Sequence, residues 1–156
     1  FVNKLQMIFD EGLYDPANEP DIAYPYLFSY FKGEEWRTQK ETQRLLAKYF
    51  TTQPDGIPGN DDTGTMSAWA IFNMIGFYPD CPGLPEYTLT TPVFNKVTIR
   101  LDPKWYKEKE LVIESNRTQP GTLYINKVLL NGKKFNQYRI THDELVHSQR
   151  ILFDLK

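Results

Sequence analysis

Apolar residues recur at helical spacing through the first half of the chain and at strand spacing through the second. Phe1, Leu5, Ile8 and Phe9 form one stripe of an amphipathic helix, with Gly12 placed to end it. Pro16, Pro20 and Pro25 break the next stretch into a loop and a helix beginning near Asp21 or Pro25. That helix carries Tyr26, Leu27, Tyr30 and Phe31 at helical intervals. EEWRTQKETQRLLAKYF predicts a longer amphipathic helix whose apolar contribution is Trp36, Leu45, Leu46, Tyr49 and Phe50. The turn-rich TTQPDGIPGND follows, and then TMSAWAIFNMIG, apolar on most faces. Such a helix is expected to be buried, in a helical assembly larger than the other three can supply.

Beyond Pro79 the period changes. A proline-rich connection, CPGLPEY, leads into the short β-type runs YTLTTPVF, KVTIRL, ELVIES, TLYINKVLL and RILFDL. Asn131-Gly132 is the strongest hairpin signal, because both residues tolerate positive φ. Thr141 to Glu144 has the capping-box pattern for a short helical turn. The pattern predicts an α+β fold: helices over 1–78, then a β-rich region over 79–156 built as an antiparallel sheet or sandwich.

Composition narrows the function classes. The net charge of −2 comes without any basic block, so nothing points to nucleic acid or an anionic membrane surface. No apolar run reaches membrane-spanning length. The lone Cys81 excludes an internal disulfide framework and a cysteine-rich metal site, and reads as a structural thiol. Ten Tyr, ten Phe and three Trp suit a well-filled core, and also a surface that handles carbohydrate. Phe1 is not a start residue and no cap or signal precedes it, so the chain is expected to be a piece of a longer one.

The candidate chemistry gathers at the start of the apolar helix. Asn60, Asp61 and Asp62 lie between Gly59 and Gly64, where unpaired N–H groups and the helix dipole favour negative charge. A carboxylate there stays ionised, able to accept a proton or bind a cation. One acid could equally cap the helix while the other faces solvent. Asn18-Glu19-Pro20 reads either as a turn and cap, or as hard oxygen ligands and sugar-hydroxyl partners. An EF-hand is excluded, since Met66 or Ile71 stands where its glutamate would be. His142 and His147, five apart, read as surface residues, and Asn116-Arg117-Thr118 matches a glycosylation sequon. No Ser/His/Asp order, phosphate-cradling glycine loop or zinc spacing is present.

GNDDTGTMSAWAIFNMIGFYP resembles the G-N/D-D/E-D-x-G-x-x-S-A-W-x-x-F-x-x-x-G-F-Y-P signature of glycoside hydrolase family 92, a family of exo-acting α-mannosidases. NEPDIAYPYLFSYF followed by WRTQ is similar to that family's N-E-P and W-K/R-T-Q segments. YTLTTPVFNKVTI and LNGKKFNQYRITHDEL resemble its C-terminal β region, so the likeness spans the chain.

The resemblance implies calcium-dependent hydrolysis of terminal α-mannosides with inversion, on an (α/α)6 barrel flanked by β-sandwich structure. This chain would supply the last helices of the barrel and the β region after them. The family's general base falls on Asp62, with Asp61 its neighbour and Asn60 an amide that could orient water without sharing its proton. Asn18 and Glu19 take the sugar or Ca2+ contacts of the N-E-P motif. Where many members carry histidine after that motif, this chain has Ala23 and Tyr24. The family's general acid comes from earlier in the barrel; no segment here matches it, and Glu19 is not the candidate. Inversion needs base and acid roughly 6.5–9.5 Å apart with water between them. Alone, therefore, the chain is expected to hydrolyse nothing. The partners implied are mannose-containing glycans and the remainder of the same polypeptide, an N-terminal β-sandwich and the rest of the barrel. The implied location is periplasmic or secreted. Two other readings stay open: a non-catalytic carbohydrate-binding module, and a related barrel enzyme for another sugar.

Overall fold

A computed structural model describes residues 1–156. Helix α1, Val2–Asp10, turns Leu5 and Phe9 inward, and Phe1 stays exposed, its ring stacked on Phe31. Gly12, at φ 71°, reverses the chain so that the Leu13 N–H reaches the Ile8 carbonyl at 2.9 Å. Glu19–Tyr30 is a series of 3₁₀ turns that starts before the expected Asp21 or Pro25. Pro20 and Pro25 cannot donate the bonds of an α ladder, and the tighter turns accommodate them.

Helix α2, Glu35–Tyr49, buries Leu45 and Leu46 but also Thr38, Gln39, Glu41 and Thr42, while Trp36 stands partly exposed. Its polar face joins the two halves of the molecule. Gln39 Oε1 accepts from the Ile125 N–H at 2.9 Å, and Gln43 Nε2 donates to the Thr91 carbonyl at 2.6 Å. Helix α3, Thr65–Ile75, buries Met66, Trp69, Ala70 and Asn73, and Gly76 ends it at φ 116°. On its other side Ala68 and Ile71 are exposed in this chain.

The β region forms two sheets. Strands β1 (Phe77–Tyr78), β2 (Glu86–Leu89) and β7 (Arg139–Thr141) make the smaller, in the order β1-β2-β7. Strands β3 (Lys96–Arg100), β4 (Glu110–Arg117), β5 (Ile125–Leu130), β6 (Lys133–Phe135) and β8 (Arg150–Leu155) make the larger, in the order β3-β4-β8-β5-β6. Pairing is antiparallel throughout except between β4 and β8, which run parallel from Val112 beside Arg150 to Arg117 beside Leu155. Asn131 and Gly132 both take positive φ and turn β5 into β6. Helix α4, His142–Val146, has the reciprocal capping box of Thr141 and Glu144.

There are two apolar cores. One packs Leu111, Ile113, Ile151, Phe153 and Leu155 beneath the large sheet, together with Phe77 and Leu89. The other packs Leu5, Phe9, Tyr26, Phe28, Leu45 and Trp69 among the helices. No helix is long and apolar enough to cross a membrane.

Candidate active site

Asn18, Glu19, Asn60 and Asp62 line one cleft of about 230 Å³, with Ala17, Pro20, Thr65 and Met66. Segments some forty residues apart in sequence meet there, and three local features hold them. The first is Gly59, at φ 67°. A β-carbon added to it would lie 2.8 Å from the Ala17 Cβ, so only glycine lets the two loops touch this closely. The second is Trp69, on the first turns of α3. Its indole N–H donates to the Ile22 carbonyl at 3.3 Å, which ties the Glu19 segment to the helix that Asp62 precedes. Phe50 stacks on the same indole with centroids 5.2 Å apart.

The third is the turn Asp61–Thr65. Thr63 sits at φ 50°, ψ 24°, a left-handed conformation that a threonine rarely adopts, and Gly64 follows at φ 81°. The Gly64 N–H donates to the Asp61 carbonyl at 2.8 Å. Strain of this kind, of order 1–3 kcal/mol, persists where surrounding bonds over-determine it, and it concentrates at functional sites.

The two acids of the loop have separate surroundings. Asp61 Oδ1 accepts from the Ser67 N–H at 2.8 Å and Oδ2 from the Ser67 hydroxyl at 2.5 Å. These bonds, that to the hydroxyl first, hold the Asp61 carboxyl below its ordinary value of 3.8. Asp61 thus caps α3 from outside, as one of the two sequence alternatives anticipated. The Asp62 carboxylate has no partner in the chain and faces the cleft with Glu19. The Asn18 amide nitrogen donates to Asp21 Oδ1 at 3.2 Å, which leaves its carbonyl oxygen as the atom free to ligate. Sequence reasoning assigned no role to Ser67, although it is the serine of the S-A-W motif, nor to the Gly59–Ala17 contact.

The cleft offers two carboxylates and two amides, the hard oxygen donors that a calcium ion takes, six to eight at a time. No group of three or more His, Cys, Asp or Glu side chains is placed to hold a metal. The four side chains of the cleft do not by themselves make a metal site.

The other candidates lie elsewhere. His142 Nδ1 is 2.9 Å from the Tyr87 hydroxyl, and His147 is exposed beside Asp143. The sequon residue Asn116 borders a larger depression of about 1010 Å³ on the five-stranded sheet. That depression is open, and its Arg150 is already paired with Glu114 at 2.6 Å. Cys81 is a partly buried free thiol.

Residues 1–156 match the profile of the glycosyl hydrolase family 92 catalytic domain. The chain belongs to that family. A family GH92 α-mannosidase from Bacteroides thetaiotaomicron superposes with a TM-score of 0.90 at 31% identity, over 100% of this chain and 21% of its own. A family GH92 inverting mannosidase from the same organism does so with a TM-score of 0.80 at 33% identity, over 97% of this chain and 20% of its own. An uncharacterized secreted glycosidase of Arthroderma benhamiae is 29% identical over 143 residues, 92% of this chain and 18% of that protein. The chain thus spans about a fifth of the length of the relatives it matches.

Proposed function

We propose that this chain is part of an inverting exo-acting α-mannosidase, and that it brings to the active site the general base Asp62 and part of the sugar- and calcium-binding subsite. One observation carries the reading. The fold sets Asp62, a carboxylate with no partner, into the same cleft as Asn18 and Glu19. A base must be reachable by water and held in place; the exposed carboxylate on a strained, glycine-bounded turn meets both conditions.

In this reading Asp62 takes the proton from a water attacking the anomeric carbon, while an acid from another part of the polypeptide protonates the leaving oxygen. Asn60, beside it on the cleft wall, orients that water through its amide. Asn18 and Glu19 hold sugar hydroxyls and would provide this chain's ligands to a calcium ion. When bound, that ion supplies positive charge next to the hydroxyls. The three helices and the 3₁₀ segment are the last part of an (α/α)6 barrel, residues 1–78, and 79–156 form the β-rich region behind it. The substrates are glycans with terminal α-linked mannose, and the setting is the periplasm or the outside of the cell.

The test uses the full-length protein and an aryl α-mannoside. Asp62→Asn should lower kcat by about 10³-fold, in the range of a lost general base, with the circular dichroism spectrum unchanged. Near-normal turnover removes Asp62 from the role. The 156-residue chain alone should leave the same substrate intact, because no acid completes the pair.

A further inference from the structure

The geometry points to Asp61 as a positioning residue that aims Asp62, acting through Ser67; this rests on the general-base reading of Asp62. Adjacent side chains on a turn cannot both be free to wander if one must present an oxygen to a fixed water. Here the division is complete. Both Asp61 oxygens are spent on Ser67, its backbone N–H and its hydroxyl, at 2.8 and 2.5 Å. The Asp61 carbonyl accepts from the Gly64 N–H. Asp61 is therefore bonded at side chain and backbone across the very residues, Asp62 to Gly64, that contain the left-handed Thr63.

Without those bonds the strained turn can relax, because Thr63 gains by returning to negative φ. The relaxation would rotate the peptide units flanking Asp62 and move its carboxylate within the cleft. Ser67 is a stable anchor for this purpose. It lies in the first turn of α3, one residue past buried Met66 and two before buried Trp69, so the helix end it marks is fixed by the core. Asp61 is exposed and makes no part of either apolar core. Its contribution should be mainly to the aim of its neighbour, with only a small part in the stability of the whole. Asp61 takes no proton in this scheme; it stays ionised and bonded throughout.

Steady-state kinetics of the full-length protein on an aryl α-mannoside test this, with Asp62→Asn in parallel. Asp61→Ala should lower kcat about 100-fold, the cost of a misplacement near 1 Å, with KM changed less than about threefold. The acid limb of its pH profile should survive, since the proposed base is still in place. Ser67→Ala, which keeps the backbone bond, should lose about tenfold, and Asp61→Asn, whose carbonyl oxygen can still accept from the Ser67 N–H, should recover most of the alanine loss. The double variant Asp61→Ala/Ser67→Ala should be no slower than Asp61→Ala alone. Normal kcat in Asp61→Ala or Ser67→Ala, or additive losses in the double variant, overturns the positioning role. So does disappearance of the acid limb in Asp61→Ala, which would make Asp61 itself the base. Retained activity in Asp62→Asn instead overturns the general-base reading.

Discussion

The Asp62 turn and the junction around Asp80 place the same side chain in opposite surroundings. Asp62 is exposed, unpartnered and carried on a turn with a left-handed threonine. The Asp80 side chain is 2% exposed and accepts from Arg139 at 2.8 Å, the Thr88 hydroxyl at 2.6 Å and the Tyr30 hydroxyl at 3.0 Å. The Arg139 guanidinium also lies over the Tyr30 ring, 4.0 Å from its centroid. Asp80 therefore ties the 3₁₀ segment to β2 and β7, and every oxygen it has is satisfied. A buried acid with full partners serves the fold, because leaving any of them is costly. An exposed acid without partners, set where the backbone is strained, is available to something outside the chain.

Substitutions should separate the two regions, beginning with the largest effects. Asp62→Asn should lower kcat by about 10³-fold at unchanged stability. Asp80→Ala in the full-length protein should do the reverse, costing about 2–3 kcal/mol by stranding Arg139 and two hydroxyls, discounted because Arg139 is partly exposed. Chemical denaturation reads that loss. If Asp80→Ala instead lowered kcat with stability intact, the contrast between the two acids would collapse.

Two glycines give a finer comparison. Gly59 and Gly132 have similar φ, 67° and 80°, but only at Gly59 would a β-carbon meet the neighbouring loop, Ala17, at 2.8 Å. Gly132→Ala should therefore cost about 1 kcal/mol, the left-handed penalty alone, and leave kcat/KM untouched. Gly59→Ala should cost about 1–2 kcal/mol and also lower kcat/KM, since it pushes the Asn18-Glu19 loop from the Asp62 turn. Equal kinetics for the two variants would mean that the loop contact does not position the site.

The smallest effect concerns acid. Asp61 is held below its ordinary 3.8 by Ser67, so its folded value lies under its unfolded one. The stabilisation is present above about pH 4 and fades as pH falls through the lower folded value. The difference in thermal midpoint between the wild type and Asp61→Asn should stay flat from neutral pH to about 4, then shrink below it. A difference that shrinks between pH 7 and 5 would contradict the assigned hydrogen bonds.

Much of this fold was legible in the sequence, because its signals act over a few residues. The Asn131-Gly132 turn, the Thr141–Glu144 capping box and the Gly12 and Gly76 helix ends all follow from local backbone chemistry. Strands β1 and β7 were missed, being two and three residues long, too short to display a period. The parallel pairing of β4 with β8 could not be read either, since it joins segments separated by three intervening strands and a helix. Physical reading of the sequence likewise left Asp61 and Asp62 as a pair with one cap and one free acid between them.

The sequence by itself determined the kinds of element, the turns between them and the family motifs on which the site is built. Tertiary structure decided which acid caps the helix and which is left without a partner. Ser67 stands six residues along from Asp61, where helix α3 brings it back beside the turn, and Ala17 meets Gly59 where the Trp69 bond to Ile22 also joins their segments. The partners of a side chain depend on where the whole chain returns, and local preference carries no record of that.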